Sequence, residues 1–200
     1  TIDTTKITVT FCINDSPLAG RDGKKVQSRV IRDRLLKECE SNVAIKMVDT
    51  PGGEAFDVSG RGELQMGVLI ENMRREGFEL SISRPRVIYK DVEGVKNEPV
   101  EEVTIDVDEE FSGAVIEKLS ARKGEMVDLK SSGSGKTRIV SLVPSRGLIG
   151  YHSEFMTDTR GTGILNRVFH SWSPHKGSIP GRRQGVLISM ENGSSVAYAI

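Results

Sequence analysis

The chain contains few of the residues that build metal centres or disulfide-stapled folds. Its 200 residues include two cysteines, three histidines and one tryptophan, and aromatic residues make up only 5%. Cys12 and Cys39 have no metal-ligand neighbour at zinc spacing, so we interpret both as reduced, buried thiols. His152, His170 and His175 include no pair four residues apart on a helix. We therefore expect neither a metal site nor a disulfide framework.

Long apolar runs are also absent. No segment approaches the roughly 18 apolar residues of a membrane-spanning helix, and the polar start at 1–10 is unlike a signal peptide. With 36% hydrophobic and 28% charged residues, the composition is that of a soluble globular protein. Because residue 1 is Thr rather than Met and the sequence ends in the strand-like VAYAI, we expect a fragment truncated at both ends.

The formal net charge is zero, but the charges are unevenly distributed along the chain. Residues 91–117 hold ten acidic groups and one basic group, whereas residues 118–200 hold twelve Lys and Arg against five Asp and Glu. From 159 to 190 there are five basic residues and no acidic one. This acid-free stretch predicts a surface that binds a polyanion.

The first 90 residues alternate between strand and helix patterns. Alternating apolar residues predict strands, and apolar residues at a 3.6-residue period predict helices. The predicted strands are 6–13, 43–48, 54–59 and 78–83, and the predicted helices are 24–40 and 64–76. This βαββαβ order is that of the ferredoxin-like fold, in which two helices cover one face of a four-stranded antiparallel sheet.

The same order of elements begins again after a boundary that contains Pro85, Gly94 and Pro99. The predicted elements are a strand at 100–107, a helix from Ser112 to Lys123, a hairpin of strands 126–130 and 137–143, a helix at 146–159 and a strand at 161–172. We therefore predict an α+β protein of two tandem ferredoxin-like sandwiches. Their predicted bounds are 1–88 and 99–184, with a linker at 89–98 and the start of a truncated, β-rich C-terminal domain at 185–200.

Two catalytic interpretations fail on spacing. The run SSGSGKT at 131–137 lacks the first glycine of a phosphate loop, and β-branched residues rather than a helix pattern follow it, so we predict a hairpin turn. The serines have no base and orienting acid at a recognised spacing. An acylphosphatase-like site could be assembled only from Arg21 and Asn42, in a loop without a clear anion-binding sequence. We expect no catalytic residue, bound cofactor or metal in this chain.

The strongest functional pattern is the interleaving of cations with aromatic rings in the acid-free stretch. Cations neutralise phosphates, and planar rings stack on unpaired bases. The alternative is a solvated basic face with the tryptophan buried in the sheet. The candidate RNA-binding residues are Arg160, Arg167, His170, Trp172, Lys176, Arg182 and Arg183, with His170 or Trp172 as the stacking group.

Three segments resemble one known family. The string GRGELQMGVLIENMRREGFEL (60–80) closely resembles the third domain of the translational GTPases in their BipA/TypA form. PVEEVTIDVDEEFSGAVIEKLSARKGEM (99–126) and PSRGLIGYHSEFMTDTRGTGILNRVFHSW (144–172) resemble the fifth, elongation-factor-G-like domain of that family. The match extends over nearly the whole chain.

The resemblance implies a ribosome-associated GTPase of bacteria or plastids, located in the cytoplasm in bacteria. Its members are tied to large-subunit assembly, stress adaptation and virulence regulation. It places GTP and Mg²⁺ in a GTPase domain that this chain lacks. The implied partners are large-subunit RNA and proteins near the factor-binding centre, together with the parent's own GTPase and barrel domains. No membrane or DNA partner is implied.

Three other functions are kept as alternatives. The first is another translational GTPase of the LepA or elongation factor G type, although the direct passage from Lys90 to Pro99 leaves no room for the fourth domain of elongation factor G. The second is the acylphosphatase-like enzyme. The third is a regulatory module that binds a small ligand between ferredoxin-like domains.

Overall fold

The computed structural model describes residues 5–131, 133, 135–181, 190 and 193–194. These residues form two antiparallel sheets, each covered on one face by helices. The first sheet and its helices comprise β1 (Ile7–Cys12), α1 (Ser28–Ser41), β2 (Lys46–Asp49), β3 (Ala55–Gly60), α2 (Glu63–Arg75), β4 (Ser81–Ile82) and β5 (Arg86–Val87). The second comprises β6 (Lys90–Val92), β7 (Val95–Asp108), α3 (Glu109–Ala121), β8 (Glu125–Ser131), β9 (Lys136–Pro144), α4 (Ser145–Leu148), α5 (Tyr151–Asp158) and β10 (Ile164–Pro174).

The strand orders confirm the predicted fold class. The first sheet has the order β2-β3-β1-β4, and β5 also pairs with β1. The second has the order β10-β7-β9-β8, with β6 paired to β7. If the four main strands of each sheet are numbered along the chain, both orders read 4-1-3-2, which is the ferredoxin-like arrangement.

Each sheet buries one face against its helices. In β1 the side chains of Ile7, Val9 and Phe11 are buried, whereas the threonines between them are half-buried on the opposite face. The helical side of this core includes Ile31, Leu35, Met66, Leu69 and Met73. A second core between β7, β9, α3 and α5 is centred on Val103, Ile105, Val115, Leu119, Ile139 and Phe155. The predicted alternation in β1 and the predicted apolar face of α2 are confirmed.

The predicted linker at 89–98 is instead a β-hairpin. β6 pairs with the start of β7, and β7 then continues without interruption through the predicted strand at 100–107 to Asp108. Asn97 and Glu98 are buried. Gly94 therefore marks a tight hairpin turn, in which Glu93 and Gly94 have positive φ, rather than a flexible connection, and Pro99 lies within β7. The predicted further domain at 185–200 lies outside the described residues, apart from isolated positions.

Two predicted helices have different bounds in the structure. The first begins at Glu109 with Asp108 as its N-cap residue, so Ser112 lies inside α3 and its hydroxyl donates to the carbonyl of Glu109. The predicted helix at 146–159 is divided into α4 and α5, because Gly150 adopts a left-handed conformation with φ of 75°. His152, the second residue of α5, is exposed.

A single carboxylate holds the loop that precedes α1. Glu79 accepts hydrogen bonds from the backbone N–H groups of Gly20, Asp22 and Gly23 and from the side-chain amide of Asn14. The bonds from Gly20, Gly23 and Asn14, in that order, lower the pKa of Glu79 to about 2. Charge-assisted bonds to backbone N–H groups favour the ionised form, so this loop depends on an ionised Glu79.

We expect Glu79→Gln to destabilise the protein at neutral pH, because an amide cannot replace the carboxylate as acceptor of four hydrogen bonds. A carboxyl group with a lowered folded pKa stabilises the protein fully above its unfolded pKa and loses this effect as pH falls. The difference from wild type should therefore shrink between pH of about 4.5 and about 2. Urea unfolding of both proteins at a series of pH values measures it. Glu40→Gln, on the exposed surface of α1, is the control; a pH-independent difference would contradict the assignment.

Candidate nucleic-acid interface

The predicted RNA-binding residues begin on β10, an edge strand that pairs only with β7 among the described strands. The strand alternates, so that Ile164, Asn166, Val168 and His170 are exposed while the residues between them are half-buried. The register of β10 against β7 shifts between Phe169 and Ser171, so His170 sits at a β-bulge, whereas Arg167 pairs with Val103 in the regular part of the strand.

Arg167 lies against the first sheet's unit and is engaged with two carboxylates. Its Nη1 is 3.2 Å from Oε1 of Glu63, at the start of α2, and its Nε is 3.4 Å from Oε2 of Glu101 in β7. Glu101 also lies 3.4 Å from the buried ammonium of Lys6, which immediately precedes β1. These four residues form a chain of alternating charges, here called the charge clamp, that joins the two units. Arg167 is therefore placed to hold the units together.

The other two described cations of the predicted set lie in different surroundings. The ammonium of Lys176 lies 2.9 Å from a carboxylate oxygen of Glu125, and the backbone N–H of Lys176 donates a hydrogen bond to Glu98 at 2.8 Å. Arg160 is exposed, and its guanidinium carbon lies 5.6 Å from the ring centroid of Phe111. Of the three, only Arg160 has no carboxylate partner among the described residues.

The two candidate stacking rings differ in accessibility. His170 is exposed, with Nδ1 2.9 Å from the hydroxyl oxygen of Ser171. Trp172 is half-buried, and the ammonium of Lys90 lies 4.1 Å from its ring centroid. The face of the indole is thus covered by a cation from β6, which leaves His170 as the more accessible ring for a base. Arg182 and Arg183 lie outside the described residues.

A second cationic surface was missed by sequence reasoning. A cleft of about 920 Å³ lies between the open face of the first sheet and the α4 region. Its charged lining residues are one acid, Asp57, and four arginines: Arg84, Arg86, Arg122 and Arg146. The signal for the first two is the sequence Ser-Arg-Pro-Arg at 83–86, which by itself indicates only a boundary.

The inner wall of this cleft is fixed by one buried and one partly exposed ion pair. Arg146, in the first turn of α4, donates two hydrogen bonds to the carboxylate of Glu98 and one to the carbonyl of Gly177. Burial would raise the pKa of Glu98, but the hydrogen bonds from Arg146 and from the Lys176 N–H outweigh it and lower that pKa. Arg122, just after α3, binds Glu154. These two arginines are structural, whereas the outer two are more exposed.

The enzymatic alternatives find no support in the geometry. Residues 131 and 136 belong to the paired strands β8 and β9, so the Gly-rich run follows a strand and precedes another strand, with no helix to form a phosphate loop. Arg21 lies before α1 and Asn42 after it, and a helix of 14 residues is about 21 Å long. Asn42 accepts a hydrogen bond from the Ala44 N–H, as a residue of a helix end. Arg21 and Asn42 do not form one anion site.

The described residues contain no cluster of three or more His, Cys, Asp or Glu that could hold a metal ion. Within the same residues no helix is long and apolar enough to cross a membrane.

Comparison with known proteins identifies relatives over the whole chain. The family profile "Elongation factor G C-terminus" matches residues 95–183. The chain is 52% identical over 200 residues to the large ribosomal subunit assembly factor BipA of Bacillus subtilis, 51% identical over 201 residues to that of Haemophilus influenzae, and 49% identical over 200 residues to that of Escherichia coli K12. Each match covers 100% of this chain and 33% of the relative, so the chain spans about a third of these relatives' length.

A solved structure shares the fold at low sequence identity. The crystal structure of a protein from Thermus thermophilus aligns with a TM-score of 0.54 and 12% identity, covering 88% of this chain and 42% of that one. At this identity the likeness concerns the fold alone, and it agrees with two ferredoxin-like units in succession.

Proposed function

We propose that this chain is the ribosome-docking region of a translational GTPase of the BipA/TypA family. The observation that carries the proposal is sequence identity of about one half, over the whole chain, to proteins named as large ribosomal subunit assembly factors. Under this proposal the whole protein hydrolyses GTP. These two units contact the large ribosomal subunit and couple that contact to the GTPase domain.

The arrangement of charges supports a docking role rather than catalysis. The charge clamp joins the two units through residues that are far apart in sequence, which suits an element that transmits a contact between distant parts. We propose that GTP and Mg²⁺ are bound elsewhere in the whole protein, because the Gly-rich run of this chain lies between paired strands. Under this proposal the protein acts in the cytoplasm, and its partners are large-subunit RNA and nearby ribosomal proteins.

The candidate contacts are refined by the structure but remain proposals. Arg160 and His170 are exposed, as an RNA contact must be. Arg167 is committed to the charge clamp and Trp172 is covered by Lys90, so both would act by shaping the surface rather than by touching RNA. Lys176 could reach phosphate only by leaving Glu125. Arg182 and Arg183 keep their proposed role in phosphate neutralisation.

Co-sedimentation with purified bacterial large ribosomal subunits tests the proposed function. We expect the chain to bind and its affinity to fall steeply with salt, with a slope of log K against log salt of about −0.7 to −0.9 for each phosphate contact. Full-length relatives such as the Bacillus subtilis protein serve as the positive control. Absence of binding by the chain at low salt, under conditions where the full-length protein binds, would contradict an independent docking role.

A further inference from the structure

We propose that the cleft between the open face of the first sheet and the α4 region, here called the arginine cleft, binds the phosphodiester backbone of RNA. The groups that would contact phosphate are Arg84 and Arg86, with the hydroxyl of Thr8 beside them. This inference rests on the proposed function, because it assigns the RNA contact of a ribosome-docking region to a site outside the acid-free stretch.

The backbone positions the two outer arginines as a pair. Around Pro85 the exposure alternates: Arg84 and Arg86 are exposed, and the proline between them is half-buried. A residue before proline is restricted to extended conformations, and residues i and i+2 of an extended chain point to the same side, about 7 Å apart. Two guanidinium groups at this spacing can bind successive phosphates of one strand, each through a fork of N–H donors.

Contacts within the protein leave the guanidinium groups of both outer arginines accessible. The side chain of Arg84 has no hydrogen-bond or ion-pair partner among the described residues. Arg86 donates to the Thr10 hydroxyl at 2.9 Å and lies 3.3 Å from Asp57, yet 62% of its side chain remains exposed. Exposed ion pairs contribute little to stability, so these cations are not explained by folding alone. Arg122 and Arg146 behind them are paired with Glu154 and Glu98, so the excess of positive charge in the cleft comes from the two outer arginines, which face one acid, Asp57.

The lining favours RNA over an acidic peptide. Thr8 lines the cleft from the polar face of β1, and threonine hydroxyls are common donors to phosphate oxygens. Asp57 accepts hydrogen bonds from Thr10 and Arg86, and its charge opposes a phosphate and a peptide carboxylate alike. A ribose 2′-hydroxyl, by contrast, can donate to Asp57. The cleft volume of about 920 Å³ is that of a pocket for a ligand of drug-like size or larger rather than for one side chain.

The test compares charge variants of the 200-residue chain on two probes: purified large ribosomal subunits and large-subunit RNA freed of protein. The variants are R84Q/R86Q and R84E/R86E. The control is K24E/K37E, which makes the same change of charge as R84E/R86E on two exposed lysines, Lys24 in the loop before α1 and Lys37 on α1, across the first sheet from Thr10. Thermal melts of every variant check the fold.

We expect R84Q/R86Q to weaken binding to both probes at least about 10-fold and to reduce the salt slope by about 2, one for each lost phosphate contact. The control should bind like wild type. If wild type and control bind while both arginine variants also bind unchanged, the arginine cleft is excluded and the docking function stands. If the arginine variants lose subunits but bind bare RNA like wild type, the partner is an acidic protein and the inference is wrong. If wild type binds neither probe, the proposed function itself fails.

Discussion

Glu98→Ala is expected to destabilise the protein by about 3–5 kcal/mol, the cost of removing one partner of a buried ion pair. Glu98 has no exposed surface, and 16% of the side chain of Arg146 is exposed. Without the carboxylate, Arg146 keeps its charge in the wall of the arginine cleft with only the Gly177 carbonyl as acceptor. The backbone N–H of Lys176 loses its partner as well.

Urea unfolding measures this change in the free energy of unfolding, and two further variants serve as comparisons. Glu102→Ala removes an exposed carboxylate from the same strand, and its effect should lie within about 0.5 kcal/mol of zero. The double variant E98M/R146M replaces the pair by apolar side chains of similar length and should recover most of the loss. A double variant as unstable as E98A would show that the cost comes from the shape of the site rather than from the unpaired charge.

The pH dependence of the same comparison has a definite sign. The pKa of Glu98 is lowered from its ordinary value, because the hydrogen bonds from Arg146 and Lys176 outweigh the effect of burial. Its contribution to stability is therefore complete above the unfolded pKa of about 4.5 and declines as pH falls below it. The difference between wild type and E98A should shrink in acid, whereas the E102A difference should not change in this way.

The fold class followed from local patterns that need no knowledge of distant contacts. Alternation of Ile7, Val9 and Phe11 and the helical period of Met66, Leu69 and Met73 each depend on neighbours within one element, and the structure confirms both. The order of such elements then selected the βαββαβ fold. Local turn residues were less informative: Gly94 and Pro99 indicated a linker, but the structure places one on a hairpin turn and the other within β7.

The candidate site was harder to predict because ion pairing is a long-range property. Arg167 looked like a free cation in an acid-free stretch, yet it reaches Glu63, 104 positions earlier in the sequence. The acids that engage it lie in segments whose charge seemed unrelated. Conversely, residues 80–90 hold three basic residues and no acidic one, but this run is short, and only the tertiary arrangement brings Arg84 and Arg86 beside Arg122 and Arg146. Counting charges along a chain cannot distinguish paired cations from available ones.

The charge clamp provides the second large effect, and it should couple the two units. The side chains of Lys6 and Glu101 are only 10% and 4% exposed, and their ion pair joins the start of β1 to β7. We expect Glu101→Leu to cost about 3 kcal/mol, at the low end for breaking a buried pair because the N–O separation of 3.4 Å is longer than in the tightest pairs. Glu63→Gln, in the more exposed part of the clamp, should cost less than about 1 kcal/mol.

A double-mutant cycle with K6M, E101L and K6M/E101L isolates this coupling, and the single tryptophan adds a spatial readout. Trp172 reports the second sheet, whereas far-UV circular dichroism reports both. In wild type the two urea transitions should coincide. In E101L they should separate, because the buried ammonium of Lys6 then opposes contact between the units and lets one unfold before the other. In K6M/E101L no charge is stranded, so the transitions should approach each other again. Additive costs in the cycle, with coincident transitions in every variant, would mean that apolar packing rather than the charge clamp joins the two sheets.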